Sequence, residues 1–340
     1  MNPLALQHSA PGRVPANIRR VLRKSVSCRA AVNDEVTIRR RPPFGVDKQP
    51  CGPFQFKVDL DESNEPRNIL EEIVWWKATE IESLRQQFPL DYLKKQLQSA
   101  EPARDFKGAL LNRANETGRP ALIAEVKKAS PSKGLIQPDF DAVKIAKGYE
   151  EGGATCLSVL TDKKYFQGGF ENLGLIRESG VSCPLLCKEF IVEAYQLFLA
   201  RVSGADAVLL IAAVLPNSDL TYFMKSVSIL GMQCLIEVHD EDELKRVLQL
   251  EGVEKHLVGI NNRNLETFEV DLHNTTRIME SEAGKEALER GILMVGESGI
   301  FGPEDVDVMH AAGCKAILVG ESIVKQGDQS KAVSTLLGLN

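Results

Sequence analysis

The stretch LMVGESGIFGPEDVDVMHAAGCKAILVGESIV, residues 293–324, contains one short pattern twice. An apolar run leads into Val-Gly-Glu-Ser each time, and this pattern begins at Val295 and again at Val319, an offset of 24 residues. An offset of this size suits one β-strand, one α-helix and the loops that connect them. The stretch therefore predicts two successive strand-helix units.

The same rhythm extends back to Ala121, where short apolar runs alternate with amphipathic segments. The runs are ALIAEV, CLSVL, PLLC, AVLLI, CLIEV, LVGI, LMVG and AILVG. The segments between them, such as Ala142–Glu151, Glu193–Ser203 and Glu241–Leu250, have the apolar spacing of helices. Eight such units suit a closed parallel barrel better than an open doubly wound sheet, which commonly has about five or six strands. The predicted fold is α/β, a (β/α)8 TIM barrel with an N-terminal helical extension.

Two parts precede the predicted barrel. Residues 1–65 are predicted to be a transit peptide and a flexible linker, and residues 66–340 to form the barrel domain with its N-terminal capping helices at 66–119. Apolar residues near helical period from Ile69 to Leu84 predict a first helix, which Pro89 ends. Shorter helices are predicted over Leu90–Leu97 and Phe106–Asn112.

The first 50 residues are basic, whereas the rest of the chain is acidic. They hold ten Lys or Arg and three Asp or Glu, with no acidic residue before Asp34, and they include several serines. This composition is typical of an organelle transit peptide, and the alternative is a disordered basic arm. With a total of −6, the head's net +7 leaves −13 for the remaining residues.

The composition also excludes several classes of protein. The acidic globular part repels phosphate backbones at long range, which argues against nucleic-acid binding. No stretch approaches the roughly 18 to 20 uninterrupted apolar residues of a membrane-spanning helix, so no membrane association is expected. The seven cysteines lack the spacing of a disulfide framework or a zinc site and are predicted to be buried thiols. No metal is indicated, and there is no G-x-G-x-x-G or Walker motif.

Charged residues end alternate strands of the predicted barrel. In a (β/α)8 barrel the carboxyl ends of the strands surround the active site. The first, third, fifth and seventh runs supply two cations and three anions there, namely Glu125, Lys127, Lys188, Glu237 and Glu297. Each one alone suits a solvated loop edge, but a ring of such charges is costly to bury unless the groups pair and act. We therefore predict a catalytic role for them.

Further candidates follow strands six, seven, eight and one. Glycines in Val295–Ile300 and Val319–Val324 allow backbone N–H groups to approach an anion, and a short helix beginning near Gly320 would direct its positive end at it. Asn261 and Arg263 follow strand six, where they suit a substrate carboxylate or simply an Asn-rich turn. The segment 130–134, SPSKG, is either a closing loop over the barrel or a plain surface loop.

Several of these motifs together resemble one enzyme family. They are AEVKKASPSKG, LCKEFI, LIEVHDEDEL, GINNRNLETFEVD and VGESGI, in this order along the chain. From about Ile69 to the C-terminus the chain is similar to indole-3-glycerol phosphate synthases of tryptophan biosynthesis. The family converts 1-(2-carboxyphenylamino)-1-deoxyribulose 5-phosphate into indole-3-glycerol phosphate, carbon dioxide and water, and the resemblance implies no cofactor. With the transit-like head, it implies a plastid form located in the chloroplast stroma.

The resemblance also implies a role for each matching residue. Lys188 resembles the general acid that protonates the ketose oxygen, and Glu237 the general base for dehydration. Glu125 is expected to pair with and orient Lys188, and Lys127 to contact substrate as a second acid. The expected catalytic residues are Glu125, Lys127, Lys188, Glu237, Asn261, Glu297 and Ser298. The expected substrate-binding residues are Ser130, Ser132, Arg263, Ser298, Gly299, Gly320 and Glu321.

One of these positions departs from the family pattern. Many relatives have Ser or Thr after the last glycine, where this chain has Glu321. Because a carboxylate repels phosphate, we expect Glu321 to act through its backbone N–H alone.

The implied partner is a small phosphorylated substrate. The protein is expected to be a monomer that makes transient contact with other tryptophan-pathway enzymes. Phosphoribosylanthranilate isomerase and the tryptophan synthase α subunit are the rival enzymes, and a catalytically inactive scaffold barrel is the rival from another class. The Glu125 and Lys127 pair together with Lys188 argues against the rival enzymes, and the presence of every charged strand end argues against the scaffold.

Overall fold

A closed barrel of parallel strands forms the centre of the computed structural model, which describes residues 66, 68–264 and 267–339. Each strand pairs with the next along the chain, and the last pairs with the first through Ala121 opposite Ala316. The strands are β1 Ala121–Val126, β2 Cys156–Leu160, β3 Leu185–Lys188, β4 Ala207–Ile211, β5 Gln233–Val238, β6 Leu257–Asn261, β7 Leu293–Glu297 and β8 Ala316–Val319. This topology confirms the predicted (β/α)8 barrel.

Helices precede the barrel and surround it. Before β1 lie α1 Ile69–Gln87, α2 Leu90–Leu97 and α3 Phe106–Thr117. Between the strands lie α4 Ala142–Glu151, α5 Glu171–Glu178, α6 Ala194–Val202, α7 Asn217–Ile229, α8 Glu241–Leu248, α9 His273–Glu280, α10 Glu282–Glu289 and α11 Pro303–Ala311, and α12 Glu321–Val324 and α13 Gln329–Leu336 follow β8. The three helices of the predicted extension are all present.

Short polar side chains fix where several helices begin. The Asn68 side chain accepts a hydrogen bond from the Glu71 N–H at 2.9 Å and caps α1. Asp105 caps α3 in the same way through the Gly108 N–H at 2.8 Å. Such caps satisfy backbone donors that have no partner inside the helix. α3 continues beyond the predicted end because the chain reverses only at Gly118, whose φ of 67° suits glycine.

Two apolar layers form the core. The outer layer lies between strands and helices, and the inner layer fills the barrel. Phe106 and Leu110 of α3 are fully buried and belong to the inner layer, so α3 closes the end of the barrel where β1 begins. The inner layer includes Ala121, Ile123, Cys156, Leu186, Ala207, Leu209, Leu235, Leu257, Leu293, Val295, Ala316 and Leu318. The opposite end stays open for a site.

The cysteine prediction holds for five of the thiols. Free and buried cysteines lie at positions 156, 183, 187, 234 and 314. Across the described ranges, no group of three or more His, Cys, Asp and Glu has an arrangement that could hold a metal ion. The same part of the chain has no helix that is long and apolar enough to cross a membrane. The predicted transit peptide and linker, residues 1–65, lie outside the described residues.

Candidate active site

A pocket opens at the carboxyl ends of the strands and is lined by three parts of the chain. Helix α1 contributes Ile69, Leu70 and Ile73, and the loop after β1 contributes Ser130 and Ser132. The ends of the strands and the loops after them supply the polar lining, Glu125, Lys188, Glu237, Asn261, Arg263, Glu297, Ser298, Gly299, Gly320 and Glu321. Every predicted site residue except Lys127 lines this pocket.

Lys188, at the end of β3, lies between two buried carboxylates. Its Nζ is 2.8 Å from Glu297 Oε2, at the end of β7, and 3.2 Å from Glu237 Oε2 on β5. The two carboxylate side chains are 1% and 3% exposed, so these charges interact with little solvent screening. The arrangement gathers the ends of three alternate strands around one ammonium group.

The charges in this group set one another's protonation. Burial disfavours the Lys188 ammonium, but Glu297 and Glu237 outweigh burial and raise the pKa of Lys188 above its usual range. Burial also opposes ionisation of Glu237, yet Lys188 and His239 outweigh it and hold the pKa of Glu237 well below its usual range. Burial raises the pKa of Glu297 to about 7, against the influence of Lys188. Lys188 therefore carries a proton at neutral pH, and Glu237 is ionised.

Glu125 and Lys127 form a second ion pair beside this group. Lys127 Nζ lies 2.5 Å from Glu125 Oε1, and the two side chains are 14% and 8% exposed. The expected pairing of Glu125 with Lys188 is wrong, because Lys188 already contacts Glu237 and Glu297. Glu125 is still close enough to favour the Lys188 ammonium electrostatically. Lys127 does not line the pocket itself, but it contacts Glu125, which does.

Two glycines leave room for these carboxylates. A Cβ on Gly259, within β6, would collide with Glu297 Oε1. A Cβ on Gly320, after β8, would collide with Glu125 Oε1. A larger residue at either position would therefore displace the carboxylate of Glu297 or Glu125. The sequence did not point to Gly259, because a glycine inside a strand has several explanations.

Asn261 and His239 hold Glu237 from the other side. Asn261 Nδ2 donates to Glu237 Oε1 at 3.1 Å, and Asn261 Oδ1 accepts from the Arg263 N–H at 3.0 Å. His239 Nε2 lies 3.4 Å from Glu237 Oε1, and its Nδ1 lies 3.3 Å from Glu243 Oε2. His239 belongs to the motif LIEVHDEDEL but had no predicted role.

The predicted phosphate cradle lies on β7 and β8. Ser298 and Gly299 follow β7 with φ angles of 66° and 78°. The left-handed region is unusual for serine and costs on the order of 1 kcal/mol, so the surrounding fold must impose it. Gly320 directly precedes α12, and the Ser322 hydroxyl donates to the Ile300 carbonyl at 2.9 Å, which joins the two loops. The N–H groups of both loops thus lie at one edge of the pocket.

Glu321 contacts cations on three sides. Its carboxylate lies 2.6 Å from Lys325, 3.7 Å from Arg263 and 3.9 Å from Lys133. Burial opposes ionisation of Glu321, but Lys325 outweighs it and lowers the pKa of the carboxyl. The side chain is thus neutralised locally, and its N–H stays at the first turn of α12.

The apolar side of the pocket was not predicted from the sequence. Phe166, after β2, and Phe190, after β3, line it with ring centroids 6.1 Å apart. Ile69, Leu70 and Ile73 of α1 complete this wall. Ser130 and Ser132 belong to a tight hairpin, in which residue 129 pairs with Leu135. One end of the pocket thus suits a flat apolar group, and the other suits an anion.

The comparisons with known proteins agree on one family. The family model for indole-3-glycerol phosphate synthase matches residues 70–336. The chain is 54% identical to the chloroplastic indole-3-glycerol phosphate synthase of Arabidopsis thaliana, over 91% of this chain and 77% of that protein. It is also 54% identical to the indole-3-glycerol phosphate synthase of Rippkaea orientalis, over 88% of this chain and 99% of that protein. That of Crocosphaera subtropica is 53% identical, with coverages of 88% and 98%.

Proposed function

The chain belongs to the indole-3-glycerol phosphate synthase family, and from this premise we propose how its own residues carry out the reaction. The enzyme is a carboxy-lyase of tryptophan biosynthesis. It converts 1-(2-carboxyphenylamino)-1-deoxyribulose 5-phosphate into indole-3-glycerol phosphate, carbon dioxide and water. Ring closure forms one carbon–carbon bond, and decarboxylation breaks another.

The first step is ring closure with Lys188 as the general acid. The ring carbon that bears the carboxylate attacks the ketose carbonyl, and the carbonyl oxygen takes a proton from Lys188. The single observation that carries this proposal is the position of Lys188 between Glu297 and Glu237, at 2.8 and 3.2 Å, which keeps its ammonium protonated. An acid held at the reacting atom in a partly dry site lowers the barrier to carbonyl addition.

Decarboxylation and dehydration follow. Carbon dioxide leaves the ring, and the electrons of the broken bond restore aromaticity, so the step needs no electron-sink cofactor. Glu237, ionised and oriented by Asn261, then removes a proton from the carbon beside the ring nitrogen. The hydroxyl on the former ketose carbon departs as water, and Lys127 supplies its proton through Glu125, which lines the pocket and lies 2.5 Å from the Lys127 Nζ.

The substrate is bound at both ends of the pocket. The N–H groups of Ser298, Gly299 and Gly320 are proposed to hold the phosphate, with Glu321 contributing only its N–H. Arg263 is proposed to pair with the carboxylate on the ring, at the expense of its 3.7 Å contact with Glu321. Ser130 and Ser132, on the hairpin after β1, close over the substrate, and the apolar wall receives the aryl group.

The location and assembly of the enzyme extend this proposal. A plastid location is supported by the chloroplastic relative from Arabidopsis thaliana and by the basic, Arg-rich first 50 residues. Residues 66–340 then form the mature barrel domain with its capping helices. The enzyme is proposed to act as a monomer that contacts other enzymes of the tryptophan pathway transiently.

Incubation with the carboxyphenylamino substrate tests the proposed function. We expect indole fluorescence to appear with release of one carbon dioxide per product molecule, without added metal or cofactor. A matched reaction with phosphoribosylanthranilate tests the isomerase alternative. A folded protein that leaves the first substrate unchanged would refute the proposal.

A further inference from the structure

A second buried charge cluster adjoins the apolar wall of the pocket, and one of its members, Glu189, also lines the pocket. Lys77 on α1 is fully buried, and its Nζ lies 2.6 Å from Asp162 Oδ2, 2.7 Å from Glu189 Oε1 and 2.6 Å from Glu80 Oε2. Asp162 follows β2, and Glu189 follows β3 directly after Lys188. None of these four residues has a role in the proposed reaction.

The Lys77 ammonium is the one cation of this cluster, and it contacts all three carboxylates. Burial disfavours the Lys77 ammonium, but Glu189, Glu80 and Asp162 outweigh burial and raise its pKa above the usual range. Burial raises the pKa of Glu189 to about 7, although Lys77 opposes this. Removal of one partner from a buried ion pair leaves an uncompensated charge and is strongly destabilising. Lys77 is therefore the residue on which this contact between α1 and the barrel depends.

The carboxylates also fix the aromatic part of the wall. Asp162 Oδ1 accepts from the Tyr165 and Phe166 N–H groups, at 2.6 and 3.1 Å. Glu189 Oε1 accepts from the Phe190 N–H at 2.8 Å, and its Oε2 accepts from the Thr161 hydroxyl at 2.9 Å. The loops that carry Phe166 and Phe190 are thus tied to the carboxylates that Lys77 contacts.

Helix α1 presents its part of the wall one turn away from Lys77. Ile73 precedes Lys77 by four residues, so both side chains lie on the same face of the helix. Ile73, Leu70 and Ile69 line the pocket from this face. Because Lys77 lies about one helical turn from Ile73, we expect a change at Lys77 to move all three side chains.

We propose that Lys77 is a positioning residue for substrate binding, which holds α1, Phe166 and Phe190 together as the wall for the aryl group. This inference rests on the proposed function, because it assigns the apolar wall to the aryl end of that substrate. Lys77 does not touch the substrate and acts through the wall. Contacts of this kind are made equally in the ground state and the transition state, so their loss raises KM more than it lowers kcat.

The first test compares Lys77→Met with Arg85→Met. Both variants remove a cation from α1, but Arg85 pairs with Glu193 and lies outside the pocket. We expect Lys77→Met to raise KM at least about tenfold with kcat within about threefold of wild type. Arg85→Met should keep KM within about twofold. An unchanged KM in a folded Lys77→Met protein, or an equal rise in both variants, would overturn the proposal.

Tryptophan fluorescence provides a readout that uses no substrate. The chain has two tryptophans, Trp75 and Trp76, and both lie on α1. Their emission therefore reports on α1 and not on the barrel strands. We expect acrylamide to quench Lys77→Met more strongly than wild type while the far-ultraviolet circular dichroism of the barrel is retained. Quenching equal to that of wild type would show that Lys77 does not anchor α1.

If Lys77→Met does not fold, a variant that removes one cation and one anion together tests whether Lys77 positions the wall. Lys77→Met with Glu80→Gln removes one cation and one anion, and Glu80 does not line the pocket. This double variant still lacks the anchor, so it should show the raised KM and the stronger quenching. Wild-type values for both would overturn the proposal. If wild type itself fails to turn over the substrate, the proposed function fails, and the quenching comparison still tests the anchor.

Discussion

At the scale of single residues, Lys188 shows which contacts the sequence can predict. The charged ends of alternate strands were predicted correctly to meet, because parallel strands of a barrel end at one rim. The partner of each charged group was not predicted correctly, because pairing depends on distances across the barrel axis. Lys188 pairs with Glu237 and Glu297, whereas Glu125 pairs with Lys127, which directly follows β1.

His239 leads to a prediction about pH and stability. Burial lowers the pKa of its imidazole, but the nearby carboxylates of Glu237 and Glu243 outweigh burial and raise that pKa to about 10. A group whose pKa is raised by folding stabilises the folded state. This stabilisation is complete below the pKa of the group in the unfolded chain, about 6.5, and is lost as the pH rises to its pKa in the folded protein. We therefore expect His239→Asn to be most destabilising near pH 6.

Urea unfolding at several pH values checks this expectation. The difference in unfolding free energy between wild type and His239→Asn should shrink by more than about 1.4 kcal/mol between pH 6 and pH 10, since one pKa unit is worth about that much. His310→Asn, which replaces an exposed histidine, is the matched control for loss of an imidazole. A difference that stays constant with pH would rule out the charged pairing of His239 with Glu237 and Glu243.

At the scale of elements, the predicted strands match the observed ones to within one residue at each end, and one kind of error falls at the site. The runs PLLC, LVGI and LMVG each stopped one residue before the observed strand ends at Lys188, Asn261 and Glu297. An apolar pattern ends at the first polar residue, but the backbone ladder continues through it. The three residues left out at these strand ends all line the pocket.

The helices show a different limit of sequence reasoning. The spacing of apolar residues predicted α1, but Lys77 lies on the same apolar stripe as Ile73 and Ile81. A lysine on such a stripe indicates a buried ion pair, and its partners follow β2 and β3, far away in the chain. Likewise, nothing local in Phe106–Asn112 indicates that this helix closes the barrel.

At the scale of the whole molecule, the acidic charge of the globular part agrees with a phosphorylated substrate only because the site supplies its own donors. The cations Lys188, Lys127 and Arg263 all lie at the rim, with the N–H groups of the cradle beside them. Donors placed locally at the rim allow a site within an acidic chain to bind a small anion.

The proposed division of the chain leads to a prediction for a shortened protein. The family model matches residues 70–336, and every residue proposed for the site lies within residues 69–336. A chain that begins at Cys51 should therefore keep its kcat/KM and unfold within about 2 °C of the full chain, a shift smaller than roughly 1 kcal/mol would produce. Residues 1–65 fused to a fluorescent protein should carry it into plastids. Loss of the fold on shortening would contradict the targeting interpretation.

Turnover by Lys188→Met tests the central claim most directly, because that claim assigns the first proton transfer to this ammonium. The variant should remain folded by circular dichroism and still bind a substrate analogue. Lys144→Met, at an exposed position on α4, is the matched control and should be as active as wild type. We expect kcat of Lys188→Met to fall at least about 1000-fold in the indole fluorescence assay. A kcat near that of wild type would contradict the account.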